Sequence, residues 1–399
     1  MTKYPAPNYA AINPPKRILM GPGPSDVPHS VLSAIGANQL GHLDPKFLEI
    51  MDQNQQMLRY VFQTENKLTL PVSATGSAGM EACLVNLLEP GDTALICING
   101  VFGKRMADLA SRAGAKLAVI ERPWGKAFHL DEIEEALKRH RPKLLGIVHA
   151  ETSTGVLQNL DGLGALAHKY DALLVADMVT SLAGVPVFID KWQVDAAYSG
   201  TQKCLSCPPG LAPVTFSNRA LNVINERKSP VQSWYLDLSM VQSYWGGERA
   251  YHHTAPISMN FALHEALRLI CEETLEQRWQ RHAQYHQVLM AGLEAMELKP
   301  LVAADIRLPQ LNAIQIPDGI DDLTVRKRLL TGFGIEIGGG LGAYKGKAWR
   351  IGLMGETCQL KNVLLLLSAL ELCLKEQSMK LTAGAAVGAA NEMIQQLKL

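Results

Sequence analysis

The chain has 399 residues, more than one ordinary hydrophobic core accommodates, so two domains are expected. Hydrophobic residues make up 47% and charged residues 19%, a globular composition that excludes disorder as the dominant state. Basic and acidic residues number 38 each with no long run of either sign, which removes any broad electrostatic reason to bind nucleic acid or an acidic membrane.

Residues 1–20 carry four prolines, Pro5, Pro7, Pro14 and Pro15, and predict an extended arm. Met1-Thr2-Lys3-Tyr4-Pro5 leads into no apolar secretory segment, and no apolar run reaches bilayer length. Seven scattered cysteines, an odd count, argue against a disulfide framework, so a reduced, cytoplasmic protein is expected. Gly21-Pro22-Gly23-Pro24-Ser25 then makes a sharp turn that brings backbone close to its neighbours.

From about residue 72 the pattern alternates. Strands are predicted at Thr93–Ile98, Lys116–Ile120, Leu144–Val148, Ala172–Ala176, Asp195–Tyr198 and Pro213–Phe216. Helices are predicted at Met80–Leu88, Arg105–Ala113, about Leu130–Leu137 and Leu163–Tyr170. Continuous apolar strands separated by helices imply a mostly parallel sheet covered on both faces, with ligands beyond the carboxyl ends of the strands. One long helical stretch from Ile257 to Met296 follows. A smaller α+β unit comes next, with strands Ala313–Ile316 and Trp349–Leu353 and helices Leu323–Leu330 and Leu360–Leu374. The tail from Ser378, rich in alanine with two glycines, fits either a helix or a disordered segment. The expected division is an arm at 1–20, a large domain at 21–275, a small domain at 276–378 and a tail at 379–399.

Three patterns carry chemistry. Thr75-Gly76-Ser77-Ala78-Gly79 leads small residues into a helix, leaving free N–H groups, a helix dipole and two hydroxyls for an anion. A capped helix that binds nothing has the same pattern. Asp177 closes an apolar strand, where a buried carboxylate needs a partner such as a protonated ring nitrogen; a turn or capping aspartate is the plainer alternative. Lys203 follows Tyr198-Ser199-Gly200-Thr201-Gln202 directly after a strand. It is either an imine-forming amine whose charge is suppressed or an ordinary surface lysine. Asp177 and Lys203 lie 26 residues apart, enough for a crossover to a neighbouring strand, so together they can address opposite ends of one cofactor.

The chain resembles a fold-type I, class V aminotransferase, and within that group the alanine–glyoxylate and serine–pyruvate enzymes. The resemblance rests on Gly21-Pro22-Gly23-Pro24, Glu151-Thr152-Ser153-Thr154-Gly155, Ala176-Asp177-Met178-Val179-Thr180-Ser181, Ser199-Gly200-Thr201-Gln202-Lys203, Tyr251-His252-His253-Thr254 and Trp349-Arg350-Ile351-Gly352-Leu353, and spans residues 17 to 375. It implies a large domain built on a mostly parallel seven-stranded sheet, a smaller α+β domain, and pyridoxal 5′-phosphate as cofactor. Lys203 would hold the cofactor as a Schiff base and shuttle a proton, and Asp177 would pair with the ring nitrogen. Thr75, Gly76, Ser77 and Gln202 would bind the phosphate. Tyr251 and Thr254 would reach it from the other subunit of a homodimer. Phe102 and Val179 would cover the ring's two faces, and Thr152 would bond near the ring hydroxyl or substrate. Arg350 would grip the substrate carboxylate with a bidentate fork, and Gly23 would border the substrate. Phe102 and Thr152 stand where relatives often carry tryptophan and serine, substitutions that keep a ring face and a hydroxyl. The glycines of Gly338-Gly339-Gly340-Leu341-Gly342 would let the chain approach the substrate or move on binding.

The expected reaction is ping-pong transamination through a pyridoxamine form, from alanine or serine to glyoxylate or pyruvate. Only Arg350 stands out as a carboxylate clamp, which favours small substrates over dicarboxylates. The rivals are another class V reaction, such as a lyase or a desulfurase using Cys358, and a cofactor-binding regulator without turnover. Cys204 and Cys207 have redox spacing, but no second pair offers a metal site, and none is expected.

Overall fold

A computed structural model describes Tyr4 and residues 6–399. Part of the predicted arm, residues 1–3 and 5, lies outside the described residues. Over residues 6–17 the chain forms neither helix nor strand and residues 6–16 are exposed, until Ile18–Leu19 pairs in parallel with Ile335–Glu336.

The central sheet has seven strands, numbered here in chain order: β1 (Leu68–Val72), β2 (Thr93–Ile98), β3 (Lys116–Glu121), β4 (Leu144–Val148), β5 (Leu173–Asp177), β6 (Ala196–Tyr198) and β7 (Ala212–Phe216). Their spatial order is β1-β7-β6-β5-β4-β2-β3, and only β7 runs antiparallel to its neighbours. The mostly parallel sheet read from the sequence is therefore observed. The alternating pattern begins one strand earlier than expected, because β1 contains Pro71, a poor strand residue by propensity. Pro71 is tolerated because β1 lies at the sheet edge and faces Pro213 in register, a pair in which neither residue has an N–H to satisfy.

Helices cover both faces of the sheet, and two apolar clusters fill the layers between. One contains Leu70, Met80, Ile96, Val175 and Val214, the other Leu95, Leu145, Leu174, Ala197 and Leu267. Alternate residues of the same strand, such as Leu95 and Ile96, serve opposite layers, as the two-residue period of a strand requires. A third cluster joins Met20 to Val288, Leu293, Trp349, Ile351, Leu366 and Leu370, and takes in Ala386 and Ala390 of the tail. The tail is helical over Ala385–Leu397. Gly292 makes room for it, since a Cβ there would lie 3.0 Å from Ala386 O.

The single helix expected over Ile257–Met296 is two, Ile257–Glu273 and Leu275–Ala295. The break is at Thr274, whose φ of +66° leaves the helical region while its hydroxyl accepts from Gln277 N and caps the second helix. Apolar periodicity continues across the corner, so it leaves no mark in the hydrophobic pattern. Glu273 holds the corner from outside, pairing with Arg281 at 2.6 Å and Arg278 at 2.5 Å.

Candidate active site

Except for the reversed β7, the strands run in one direction, and their carboxyl ends collect the polar residues. β1 leads to Thr75–Ser77, β2 to Gly100–Phe102, β4 to Ala150–Thr152, β5 ends at Asp177, and β6 leads to Gln202 and Lys203. Gly76, Ser77, Phe102, Thr152, Asp177, Val179, Gln202 and Lys203 line one cavity of about 200 Å³ at this edge, together with Met80, Arg105, Ala150, Thr180 and Tyr198. Residues up to 127 positions apart in sequence meet there because parallel strands deliver every loop to the same edge.

Thr75 is the N-cap of the helix Gly76–Leu87, so the first N–H groups of that helix face the cavity. A Cβ on Gly76 would lie 3.3 Å from Gly200 Cα, which explains the small residue where two strand ends converge. The Gln202 side chain makes no hydrogen bond through Oε1, which is buried.

Asp177 and Tyr198 are Cα partners at the ends of β5 and β6. The Tyr198 hydroxyl donates to Asp177 Oδ2 at 2.8 Å and Val179 N to Oδ1 at 2.9 Å. Burial pushes the carboxyl up to about 7, against the pull of those two donors; nearby Glu151 adds to the rise and Lys203 opposes it. Among the described residues none forms an ion pair with this carboxylate, which is poised for a cationic partner.

Lys203 is nearly enclosed, and its ammonium donates to Pro22 O. Its pKa is lowered to about 8, chiefly by burial and also by Arg350, against the opposing pull of Cys204 and Asp177. Gly23 has φ of +102°, and a Cβ there would sit against the Lys203 amine and 2.7 Å from its Cδ. The residue is glycine for two independent reasons.

Arg350 lies on the strand Ala348–Gly352, paired with Ala313 on one side and Gly338 on the other. Its Nε donates to Gly339 O at 2.8 Å and its Nη1 to Thr152 O at 3.3 Å. Burial lowers its pKa, opposed by Glu151, yet a guanidinium stays charged. A carboxylate entering the Nε edge of this fork must displace the Gly339 carbonyl.

Glu151 opens the motif Glu151-Thr152-Ser153-Thr154-Gly155, yet nothing in the sequence assigns it a role. Its carboxylate is fully buried and accepts four donors: Ser153 N at 3.0 Å, Ser153 Oγ at 2.6 Å, Phe102 N at 3.0 Å and Gly103 N at 3.3 Å. It thereby fixes the start of the helix Val101–Arg112, which carries Phe102. Gly100 admits it, because a Cβ there would run into the Glu151 side chain. Tyr198 likewise has no role in the sequence reading, because only the register of β5 and β6 brings its hydroxyl to Asp177.

Tyr251 and Thr254 do not line this cavity within their own chain. Tyr251 is 62% exposed and packs its ring 5.2 Å from that of His42. Cys204 and Cys207 are both buried, and burial pushes their thiols up to about 11 and about 12, away from redox reactivity.

An enclosed lysine with suppressed charge and a carboxylate awaiting a cation meet here beside a helix N-terminus, on a doubly wound sheet. These are the marks of a fold-type I pyridoxal-phosphate enzyme. The comparisons agree. The aminotransferase class-V profile matches residues 19–344, and the chain belongs to that family. It is 42% identical to the alanine–glyoxylate aminotransferase of Callithrix jacchus over 372 residues, covering 92% of this chain and 90% of the relative. It is 40% identical to the (S)-ureidoglycine–glyoxylate transaminase of Bacillus subtilis, covering 94% of this chain and 95% of the relative. The crystal structure of an alanine–glyoxylate aminotransferase from Nostoc sp. superposes with a TM-score of 0.91 at 50% identity, covering 92% of this chain and 97% of that one. The protein is thus an aminotransferase that uses pyridoxal 5′-phosphate. The residues present fit that group: an amine, an acid awaiting a cation, a ring face and an N–H-rich turn border one cavity.

Proposed function

We propose that the protein transfers the amine of a small amino acid, alanine or serine, to a small 2-oxo acid, glyoxylate or pyruvate. The observation that carries this reading is the pairing of Lys203 and Asp177 in one cavity, each with its charge disfavoured by burial. The bound cofactor supplies an electron sink for the electrons released at the substrate's α carbon. Lys203 Nζ would anchor it and, once released, carry the proton from the substrate's α carbon to C4′ of the cofactor. An amine that loses its proton near pH 8 is suited to both tasks. Asp177, held by Tyr198 and Val179, would keep a proton on the ring nitrogen. Thr75, Gly76, Ser77 and Gln202 would bind the phosphate, Phe102 and Val179 would flank the ring, and Thr152 would orient the substrate end. Arg350 would take the substrate carboxylate in place of Gly339 O, and Gly23 leaves the approach to Lys203 open.

The second half of the phosphate site would come from Tyr251 and Thr254 of a partner copy, a reading supported by the exposure of Tyr251. The two cores flanking the sheet and the third around Trp349 support a large and a small domain, with the tail packed on the smaller. Seven free thiols support a reducing, cytoplasmic setting. Among the described residues no helix is long and apolar enough to cross a membrane. The desulfurase alternative is disfavoured by Cys358, a fully buried thiol pushed up to about 12 by burial.

The test crosses alanine, serine, glycine and (S)-ureidoglycine with glyoxylate and pyruvate. Ureidoglycine is included because the Bacillus relative is nearly as similar as the alanine-using one. Alanine alone should yield one equivalent of pyruvate per site and then stop until glyoxylate is added. Continuous product release without an acceptor would mean a lyase, and no amine exchange with any donor would mean a regulator.

A further inference from the structure

We propose that Arg105 is a phosphate-binding residue of the cofactor site, supplying the full positive charge that the turn Thr75–Ser77 lacks. The inference rests on the reading that this cavity receives pyridoxal phosphate.

Arg105 stands three residues after Phe102 on the helix Val101–Arg112, so the two side chains share a face. Its guanidinium carbon lies 4.9 Å from the Phe102 ring centre, and its Nη1 donates to Ser77 Oγ at 3.2 Å. It borders the same cavity as Lys203 and Asp177. Among the described residues no carboxylate lies within 4.0 Å of it, whereas Arg112, two turns further along the same helix, pairs with Asp108 at 2.9 Å. A cation without an anion is thus held in place by a ring and a hydroxyl, at the mouth of an anion-binding turn.

The charges explain why such a residue is needed. A helix N-terminus presents roughly half a positive charge, while a phosphate monoester carries about −1.5 to −2 near neutral pH. Lys203 cannot make up the difference, because its amine is committed to the other end of the ligand. A guanidinium beside Ser77 can, and the geometry is cooperative. Ser77 Oγ accepts from Arg105, which leaves its own hydrogen free to donate to a phosphate oxygen. Gln202 lines the same cavity, and its Nε2 offers a further donor. A second substrate carboxylate is the other anion that Arg105 could serve. Its place beside Ser77, and not beside Thr152 and Arg350, favours the phosphate.

The test uses cofactor-free full-length protein titrated with pyridoxal phosphate and, separately, with pyridoxal, which has the same aldehyde and no phosphate. R105A should weaken pyridoxal phosphate binding at least about tenfold, the size of one lost charge-assisted contact, and leave pyridoxal binding unchanged. R105K should recover part of the loss. Inorganic phosphate should raise the melting temperature of the cofactor-free parent protein more than that of R105A. Should R105A fail to fold, R105Q carries the same comparison. An unchanged affinity for pyridoxal phosphate overturns the proposal. So does an equal loss for both ligands, which would mean that Arg105 only packs Phe102. If the parent protein attaches neither aldehyde, the cofactor reading itself fails, a result distinct from all of these.

Discussion

Replacing Asp177 by asparagine should stabilise the cofactor-free protein while disabling the enzyme. The carboxyl is fully buried and its pKa is carried from an ordinary 3.8 to about 7. The folded state therefore holds a proton that the unfolded chain has released. The stability this contributes is complete below about pH 4 and is lost as pH rises toward 7, after which the charged group stays buried at a constant penalty. A shift of that size corresponds to at most about 4 kcal/mol, at roughly 1.4 kcal/mol per tenfold. Asparagine avoids the penalty and fits the same partners, with Oδ1 accepting from Val179 N and Nδ2 donating to a turned Tyr198 hydroxyl. Urea unfolding of cofactor-free parent and D177N, followed from pH 5 to pH 8, should show a gap that widens in favour of the variant. With cofactor bound the order should reverse, because the ring nitrogen loses its anion and transamination falls by at least about a hundredfold, the loss of a charged contact in a dry site. A gap that stays constant with pH, or a variant less stable at pH 8, would refute the electrostatic argument.

Covalent loading of cofactor-free protein should accelerate with pH and level off near 8, because burial leaves Lys203 neutral from there; a rate still climbing through pH 9.5 would mean an ordinary lysine. Gly23→Ala should cost about 1–2 kcal/mol of backbone strain and cut loading severely, since the methyl group occupies the Lys203 position. Gly247→Ala, with nothing within 4 Å of its Cβ, is the control and should melt within a degree or two of the parent. Glu151→Ala strands two buried backbone N–H groups and one part-buried one, at about 1–3 kcal/mol for each buried group, and should lower unfolding stability by at least about 2 kcal/mol, measurable in urea. Arg350→Lys replaces a fork by a point charge and should raise the amino-acid KM about a hundredfold while cofactor affinity holds, which separates substrate binding from cofactor binding.

The alternating strands and helices were legible because a strand buried on both faces must be largely apolar, a signature that the parallel strands β2, β4, β5 and β6 carry. β1 escaped because Pro71 masks it. The sequence reading assigns no helix to His29–Ile35 or Pro45–Phe62, although Asp44 followed by Pro45 is a cap with proline at the first helical position. Among the site residues, Lys203 and Asp177 were legible because each stands at or just after the end of an apolar strand, whereas Arg350 is implied by the family resemblance. Glu151 and Arg105 were not, because nothing local separates a buried glutamate that caps a distant helix from a surface one, or an unpaired arginine from its paired neighbour Arg112.

Residue order alone fixed the kinds of element and the chemical groups at the strand ends, because hydrophobic period and strand-end polarity are properties of short stretches of chain. Tertiary structure decided which groups meet. Asp177 reaches Tyr198 through the register of β5 and β6, Glu151 reaches Phe102 across 49 residues, and Lys203 is enclosed by Pro22 and Gly23 from the far end of the chain. The shifted acidities of Asp177 and Lys203 belong to that second level, since they arise from burial, which no short segment of sequence possesses before the sheet is assembled around it.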